Sequence, residues 1–368
     1  MLRFATRPWI TVGVAAVGAG LISAAPATVP LPGVQLADIQ LTATDIIIDF
    51  TRHGESTDNA SHIIGTMPPG AHLTALGQQQ AEGLIDPLNP KYLGGNDYDG
   101  LFASWLVRTQ ETAAPLADYL GMDVQHLAGL NEVNAGIFEG IQQGQVSAPA
   151  YLLAPMLWTL GLYSVPQLGA TDFNGMAFQS RVDEAVQAMY DVSSAEDAFG
   201  RSAAFSHGAT MMMWTIMNVD NPTPWLWMTN PLSNTDQVVI EGNPTDGWTL
   251  LSWDGIEQDL TPSLMTQLFV ATRDLIVAPQ MAMFNIQAGM VDSLQSQDPS
   301  DWLTAAQAGF NDVLQTTMNY PTEVLGAIES YLAGDIELGW DEWAQGIAIM
   351  SGFLESTVTG IWDSLVPA

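Results

Sequence analysis

Short apolar runs alternate with stretches of helical periodicity over the first two thirds of the chain. The runs that predict buried strands are residues 46–51, 98–103 and 202–206. The stretches that predict helices are residues 78–84, 105–120, 182–190 and 209–217. Two further apolar runs, 237–240 and 248–253, flank a turn of Gly, Asn, Pro and Asp and predict a hairpin. Strands that alternate with helices indicate an α/β sandwich with a mainly parallel sheet.

The pattern changes after residue 260. Apolar residues recur at helical spacing over residues 301–318 and 343–365, whereas residues 295–300 and 319–321 have the composition of breaks. We expect residues 261–368 to form an extension of three or four acidic amphipathic helices. Three roles are open for it: packing on the preceding domain, binding a second copy or a protein partner, and contact of its apolar face with a membrane or cell envelope.

Residues 141–180 are rich in Pro, Gly, Met and aromatic side chains and carry few charges. Such a segment either covers a site as a lid or belongs to the core. Together with residues 57–72, it contains no Lys or Arg. If both segments cover a site, they favour a substrate with an apolar or bulky group. The side chains that they offer are Met67, Tyr151, Met156, Trp158, Tyr163 and Phe173.

Charge and cysteine content exclude several classes of function. The 368-residue chain has a formal net charge of -32 and only eight Lys and Arg residues. Nucleic-acid binding is excluded because phosphate contacts need clustered basic residues, and anionic lipid surfaces repel the chain. The absence of cysteine excludes disulfides, thiolate metal sites and a cysteine nucleophile.

Residues 1–27 have the features of a secretory signal. Arg3 and Arg7 form a basic start, residues 10–24 are apolar, and Ala-Pro-Ala at residues 25–27 is a candidate cleavage site. An uncleaved membrane anchor is the alternative, although the apolar run is shorter than the ~20 residues that a spanning helix needs. Residues 28–44 form a loose lead-in. We expect export to the cell envelope or the medium.

Two histidines each stand beside a glycine, just beyond a predicted strand. His53-Gly54 follows the first strand and His207-Gly208 follows the third. Ligands of parallel α/β sheets gather at the carboxyl ends of the strands. Ser104 follows the second strand and falls at the same edge. The chain therefore predicts one site that contains both histidines.

Five motifs resemble the histidine phosphatase superfamily, also called the phosphoglycerate mutase-like fold, over residues 45–260. They are Arg-His-Gly-Glu-Ser-x-x-Asn (52–59), Leu-Thr-x-Leu-Gly-x-x-Gln-Ala (73–81), Ser-x-x-x-Arg-Thr-x-x-Thr-Ala (104–113), Leu-x-Glu-x-x-x-Gly-x-x-Glu-Gly (130–140) and Ser-His-Gly (206–208). The resemblance implies a three-layer α/β/α sandwich, to which residues 261–368 add a helical extension. It also implies a site that needs neither metal nor cofactor.

The resemblance assigns roles that suit the residue types. A phosphomonoester is a dianion, so its transfer needs cationic donors, and Arg52 and Arg108 offer them in a fixed fork. The resemblance implies a phosphohistidine intermediate at His53, with His207 facing the phosphoryl group. Glu132 is the implied general acid, because burial beside a phosphate would keep its carboxyl protonated.

Other motif residues have less specific roles. Ser56 and Asn59 could donate to phosphate or substrate, and Ser56 could equally cap the following helix. Glu139 is expected to be structural. His62, His72 and His126 match no position of the family and are expected on the surface or in loops.

The expected activity is hydrolysis of a phosphomonoester, on a phosphorylated small molecule or a phosphoprotein. Two alternatives remain open. One is a mutase-type phosphotransferase, which would need additional basic residues for a second anionic group. The other is an idle binding module whose helical extension mediates protein interaction.

Overall fold

A computed structural model describes residues 44–365. The expected signal (residues 1–27) and all but the last residue of the lead-in lie outside the described residues. A seven-stranded sheet in the order β3-β2-β4-β1-β5-β6-β7 forms the centre of the described chain. Its strands are β1 (Ile46–Arg52), β2 (Gly100–Ala103), β3 (Val124–His126), β4 (Arg201–Ser206), β5 (Gln237–Asn243), β6 (Gly247–Trp253) and β7 (Ile256–Glu257).

Helices flank the sheet and follow it. They are α1 (Thr57–Ala60), α2 (Ala75–Gly83), α3 (Val107–Leu120), α4 (Ser147–Thr159), α5 (Gly175–Ser193), α6 (Gly208–Asn218), α7 (Leu226–Thr229), α8 (Leu264–Ser296), α9 (Ser300–Ala333) and α10 (Trp340–Leu365). Two short 3-10 turns, Ala128–Leu130 and Gly136–Phe138, precede α4. None of the helices between residues 44 and 365 combines the length and apolar character needed to cross a membrane.

Strand direction follows the prediction. β3, β2, β4 and β1 run parallel, and the predicted hairpin adds β5 and β6 antiparallel to β1. In the pairing of β1 with β4, Arg52 lies opposite Ser206. The residue after each strand, His53 or His207, therefore reaches the same edge at the same level.

Alternate side chains of the strands enter two separate cores, which confirms the three-layer arrangement. Phe50, Phe102 and Ala204 join one core together with residues of α4, α5 and α6. Leu101 and Phe205, one position away, join the other core with residues of α3. The period of two along a strand produces this division, because neighbouring side chains point to opposite faces. The predicted fold class is confirmed.

Most of the aromatic side chains of residues 141–180 belong to the core. Tyr151, Met156, Trp158 and Tyr163 are buried, and the indole N–H of Trp158 donates to the Val165 carbonyl (2.9 Å). The lid interpretation is therefore wrong for these four side chains. Helix α4, which is apolar on nearly all sides, carries three of them and packs against α5, α6 and α10. Phe173 and Met67 are exposed.

The extension forms three helices, as the sequence predicts, but one predicted break is wrong. Residues 297–299 separate α8 from α9, whereas α9 continues through Pro321. A proline in a helix removes one backbone hydrogen bond. Packing along the rest of the helix offsets this loss. At Gly309, for example, an added Cβ would lie 2.9 Å from the Cβ of Ala282, so α8 and α9 are in close contact.

Helix α10 packs on the α/β domain. The Trp343 ring lies 5.1 Å from the Trp225 ring in an edge-to-face arrangement, and Phe353 meets Trp227 in the same way at 5.4 Å. Edge-to-face aromatic pairs stabilise a contact beyond the area that they bury. The packing role proposed for the extension thus has direct support in α10.

Candidate active site

A tight turn holds His53 just beyond β1. The His53 backbone N–H donates to the Ser206 carbonyl (3.0 Å), and the Gly54 N–H donates to Oγ1 of Thr112 in α3 (2.9 Å). A Cβ at Gly54 would lie 2.6 Å from the Gly77 carbonyl oxygen. Glycine follows the histidine because the backbone of α2 leaves no room for a side chain.

Hydrogen bonds fix the tautomer of His53. Its Nδ1 lies 2.7 Å from the Gly54 carbonyl oxygen, which can only accept, so Nδ1 carries the proton. Nε2 then has a free lone pair and accepts from Nε of Arg108 (3.0 Å). Burial lowers the pKa of His53 well below its usual value, and the charges of Arg108 and Arg52 lower it further. The ring is therefore a neutral imidazole whose Nε2 carries a lone pair and no proton.

His207 faces His53 across the same edge. The two ring centroids are 5.0 Å apart, with an angle of 61° between the planes. His207 precedes α6 as its N-cap residue, and its Nδ1 lies 3.3 Å from Nε of Arg108. Burial is also the main reason that the pKa of His207 lies well below its usual value, with a further contribution from Arg108.

Each of the two arginines has a buried N–H group without an acceptor. Arg52 donates through Nη1 to the Leu232 carbonyl, and Arg108 donates through Nη2 to the Gly65 carbonyl (3.0 Å). Nε of Arg52 and Nη1 of Arg108 find no acceptor among residues 44–365. Leaving a buried charged donor unpaired costs at least about 1–3 kcal/mol, so these groups are arranged for an anion.

The side chain of Glu132 lies against the first turn of α6. Its carboxylate accepts from the backbone N–H groups of Thr210 (2.9 Å) and Ala209 (3.3 Å), and from that of Val133 (2.9 Å). Burial lowers the pKa of Arg52 and of Arg108, and the charge of Glu132 is the main influence that opposes this shift in both. The charge of Glu132 thus acts on both guanidinium groups. The structure brings together His53, His207, Arg52, Arg108 and Glu132.

Ser56 and Asn59 form a capping box at α1. Oγ of Ser56 accepts from the Asn59 N–H (3.3 Å), and Oδ1 of Asn59 accepts from the Ser56 N–H (3.1 Å). The helix-cap interpretation of Ser56 is confirmed. Donation from either side chain to phosphate stays a prediction.

Glu139 and the other histidines occupy the places expected of them. The Glu139 carboxylate accepts from the N–H (2.9 Å) and the hydroxyl (2.5 Å) of Thr66, and so fixes a loop. His62, His72 and His126 are exposed. Within residues 44–365, no three His, Asp or Glu side chains converge closely enough to hold a metal ion.

Sequence reasoning missed Asn234. Its side-chain amide donates to the His53 carbonyl (2.9 Å) and to Oδ1 of Asn59 (3.3 Å), from the loop before β5. It lies 181 positions from His53 and outside all five motifs, so no local signal marks it. Only the antiparallel pairing of β5 with β1 brings that loop to the site.

A sequence model of the histidine phosphatase superfamily (branch 1) matches residues 48–255. The chain belongs to this superfamily. The matched region contains both histidines, both site arginines and Glu132. The matched region ends before α8, so the helical extension lies outside the family domain.

Two curated relatives come from Mycobacterium tuberculosis. The PE-PGRS family protein PE_PGRS11 is 46% identical over 286 residues, which are 76% of this chain and 47% of that protein. The uncharacterized protein Rv0525 is 36% identical over 97 residues, which are 26% of this chain and 45% of that protein. The chain thus spans about half the length of the curated relatives that it matches.

Solved structures with similarity to the chain include two mycobacterial proteins. Mycobacterial hydrolase 1 aligns with a TM-score of 0.46 and 18% identity, over 57% of this chain and 99% of that one. The mycobacterial glucosyl-3-phosphoglycerate phosphatase Rv2419c aligns with a TM-score of 0.45 and 20% identity, over 57% and 99%.

Proposed function

We propose that the protein hydrolyses phosphomonoesters through a phosphohistidine at His53, with Glu132 as the general acid. One observation carries the proposal. Two buried guanidinium N–H groups, on Arg52 and Arg108, have no acceptor among the described residues, and the unprotonated Nε2 of His53 accepts from Nε of Arg108 (3.0 Å). Cationic donors around an unprotonated nitrogen are what phosphoryl transfer requires.

The first half-reaction forms the phosphohistidine. Arg52 and Arg108 hold the phosphate oxygens while Nε2 of His53 attacks phosphorus. The bond from phosphorus to nitrogen forms as the bond from phosphorus to the ester oxygen breaks. Glu132 gives its proton to the leaving oxygen, and the alcohol departs. The Gly54 carbonyl stabilises the positive charge on the ring by keeping the proton of Nδ1.

The second half-reaction returns the enzyme to its starting state. Glu132, now a carboxylate, takes a proton from water as the water oxygen attacks phosphorus. The bond from phosphorus to nitrogen breaks, inorganic phosphate leaves, and His53 is again neutral. The same carboxyl serves first as acid and then as base, so no further proton carrier is needed.

Hydrolysis of p-nitrophenyl phosphate tests the proposal. We expect turnover without added metal by a protein that lacks residues 1–27, and loss of at least about 1000-fold in His53→Ala. His126→Ala is the matched control, because His126 ends β3 at the same edge of the sheet and is exposed. Equal activity of wild type and His53→Ala would contradict the assignment of the nucleophile.

We further propose that residues 1–27 direct the protein out of the cytoplasm, because they combine a basic start, an apolar run and an Ala-Pro-Ala segment. The test is N-terminal sequencing of protein recovered from the medium and envelope of a producing bacterium. Recovery of the full, uncleaved chain in the cytoplasm alone would contradict export.

A further inference from the structure

A small cavity lies beside Glu132, the general acid of the proposed reaction. It has a volume of about 90 Å³, and Glu132 is part of its wall. The other polar groups of its wall belong to Thr66, Asn131, Asn134, Thr171, Asp172 and Arg181. A cavity of this size has room for a few water molecules or a short hydroxylated chain, and not for a bulky ring system.

Arg181 lines this cavity and has one side-chain donor without an acceptor among residues 44–365. Its Nε donates to Oδ2 of Asp172 (2.8 Å), and its Nη1 donates to three backbone carbonyls, of which Gly129 is the closest (2.8 Å). Its buried Nη2 has no acceptor in the part of the chain that the structure describes. An unused buried donor of this kind is arranged for a ligand acceptor, as at Arg52 and Arg108.

Asp172 supplies the complementary acceptor. Arg181 occupies Oδ2, so Oδ1 remains for a ligand donor. A hydroxyl group satisfies both residues, since its oxygen accepts from Arg181 and its proton goes to Asp172. A carboxylate fits poorly, because Asp172 already neutralises Arg181.

The position of Glu132 connects the cavity with the reaction. Under the proposed function, Glu132 protonates the oxygen that links phosphorus to the alcohol. Because Glu132 also lines the cavity, the carbon chain attached to that oxygen has a polar space to occupy next to the acid. The aromatic side chains of residues 141–180 form no such space beside Glu132, because most of them are packed in the core and Phe173 is exposed.

We propose that the cavity binds the alcohol portion of the substrate and selects the ester of a small, neutral, open-chain polyol, such as glycerol phosphate. Arg181 and Asp172 are the residues that recognise its hydroxyl groups. This inference rests on the proposed function, since it concerns the leaving group of that reaction. It replaces the sequence-based expectation of an apolar or bulky leaving group.

Three esters that differ only in the alcohol test the inference. Glycerol 1-phosphate carries two free hydroxyls, propyl phosphate has the same carbon skeleton without them, and 3-phosphoglycerate has a carboxylate at the far end. We expect kcat/KM for glycerol 1-phosphate to exceed both others roughly tenfold or more, because a site built for hydroxyls rejects analogues that lack them.

The variant Asp172→Asn should lower the ratio of kcat/KM for glycerol 1-phosphate over propyl phosphate about tenfold. Thr171→Val, at an exposed position of the same wall, should lower this ratio in the same direction with less risk to folding. Asp274→Asn is the matched control, because Asp274 accepts from Arg273 in a comparable pair of residues on α8. It should leave the ratio unchanged.

The outcomes separate the inference from the proposed function. Turnover of all three esters at similar rates, or preference for propyl phosphate, would overturn the inference and leave the phosphatase intact. If none of the three esters is hydrolysed, the proposed function is overturned. In that case calorimetric titration still decides the inference: tighter binding of glycerol 1-phosphate than of propyl phosphate supports it, and equal binding contradicts it.

Discussion

The hydroxyl oxygen of Ser104 lies 2.8 Å from Nε2 of His207. The same hydroxyl lies 2.8 Å from Oγ1 of Thr109, which itself donates to the Leu106 carbonyl (2.7 Å). The hydroxyl proton of Thr109 goes to the Leu106 carbonyl, so the Ser104 hydroxyl must donate to Oγ1 of Thr109. The Ser104 oxygen then accepts from His207. Nε2 of His207 therefore carries the proton, and Nδ1 faces Arg108 as an acceptor.

Ser104→Ala should lower kcat for p-nitrophenyl phosphate about 10- to 100-fold, because His207 loses the acceptor that fixes its tautomer. The pH dependence of kcat should shift as well, which a purely structural role would not cause. Ser193→Ala is the control, since Ser193 is a buried serine hydrogen-bonded to Ser202 away from the site. An unchanged pH profile in Ser104→Ala would contradict this role.

Glu132→Gln should affect substrates according to their leaving groups. An alkyl phosphate needs a proton on the leaving oxygen, so kcat for glycerol 1-phosphate should fall about 100- to 1000-fold. The p-nitrophenolate ion leaves without a proton, so p-nitrophenyl phosphate should lose less than about tenfold. Glutamine keeps an oxygen acceptor for the N–H of Thr210, which limits structural change. Equal losses on both substrates would argue against Glu132 as the acid.

The buried carboxyl of Asp183 should lower the free energy of unfolding as the pH rises. Burial raises its pKa from 3.8 to about 6, against the hydrogen bonds from Trp214 and Gln179. Between about pH 4 and pH 6 the folded state keeps a proton that the unfolded state has released, so the free energy of unfolding falls with rising pH. A rise of the pKa from 3.8 to about 6 corresponds to about 3 kcal/mol at most.

Urea unfolding of Asp183→Asn measures this effect. The free energy of unfolding of the variant, relative to wild type, should rise by about 2–3 kcal/mol between pH 4 and pH 7. Glu184→Gln removes an exposed carboxylate at the next position of α5 and should show no such rise. A constant difference between Asp183→Asn and wild type would contradict the raised pKa.

Two glycines of α10 should respond oppositely to alanine. A Cβ at Gly346 would lie 2.1 Å from the Trp225 ring, whereas Gly352 has open space around it. Alanine stabilises a helix interior by about 1 kcal/mol relative to glycine, so Gly352→Ala should raise Tm. Gly346→Ala should lower Tm, because overpacking against Trp225 costs about 1–3 kcal/mol. A rise of Tm in both variants would show that α10 does not pack on Trp225.

The parts of the fold that the sequence predicts are those with local causes. The apolar runs before His53 and His207 are buried strands because their side chains fill both cores, and parallel pairing brings their ends together. Strand β3 escaped prediction because its three residues are largely exposed, so they lack an apolar run. The capping box of Ser56 and Asn59 is local too, and its motif predicts it.

The features that the sequence did not predict depend on contacts between distant segments. The amide of Asn234 reaches His53 only through strand pairing, and the aromatic residues of α4 lie in the core because neighbouring helices pack against that helix. Within the described chain, Nη2 of Arg181 is left unpaired because the carbonyls of Ala128, Gly129 and Asn131 point to Nη1 instead. The residue types in the motifs indicated the class of reaction. The space for the alcohol could be found only in the structure.

Trapping of the phosphorylated enzyme tests the central claim most directly. The protein is mixed with p-nitrophenyl phosphate, denatured in alkali after a few milliseconds to seconds, and digested for mass spectrometry. We expect an alkali-stable, acid-labile phosphoryl group on His53 that is absent from His53→Ala. Full turnover with no phosphoryl group on His53, or with the group on another residue, would contradict the account.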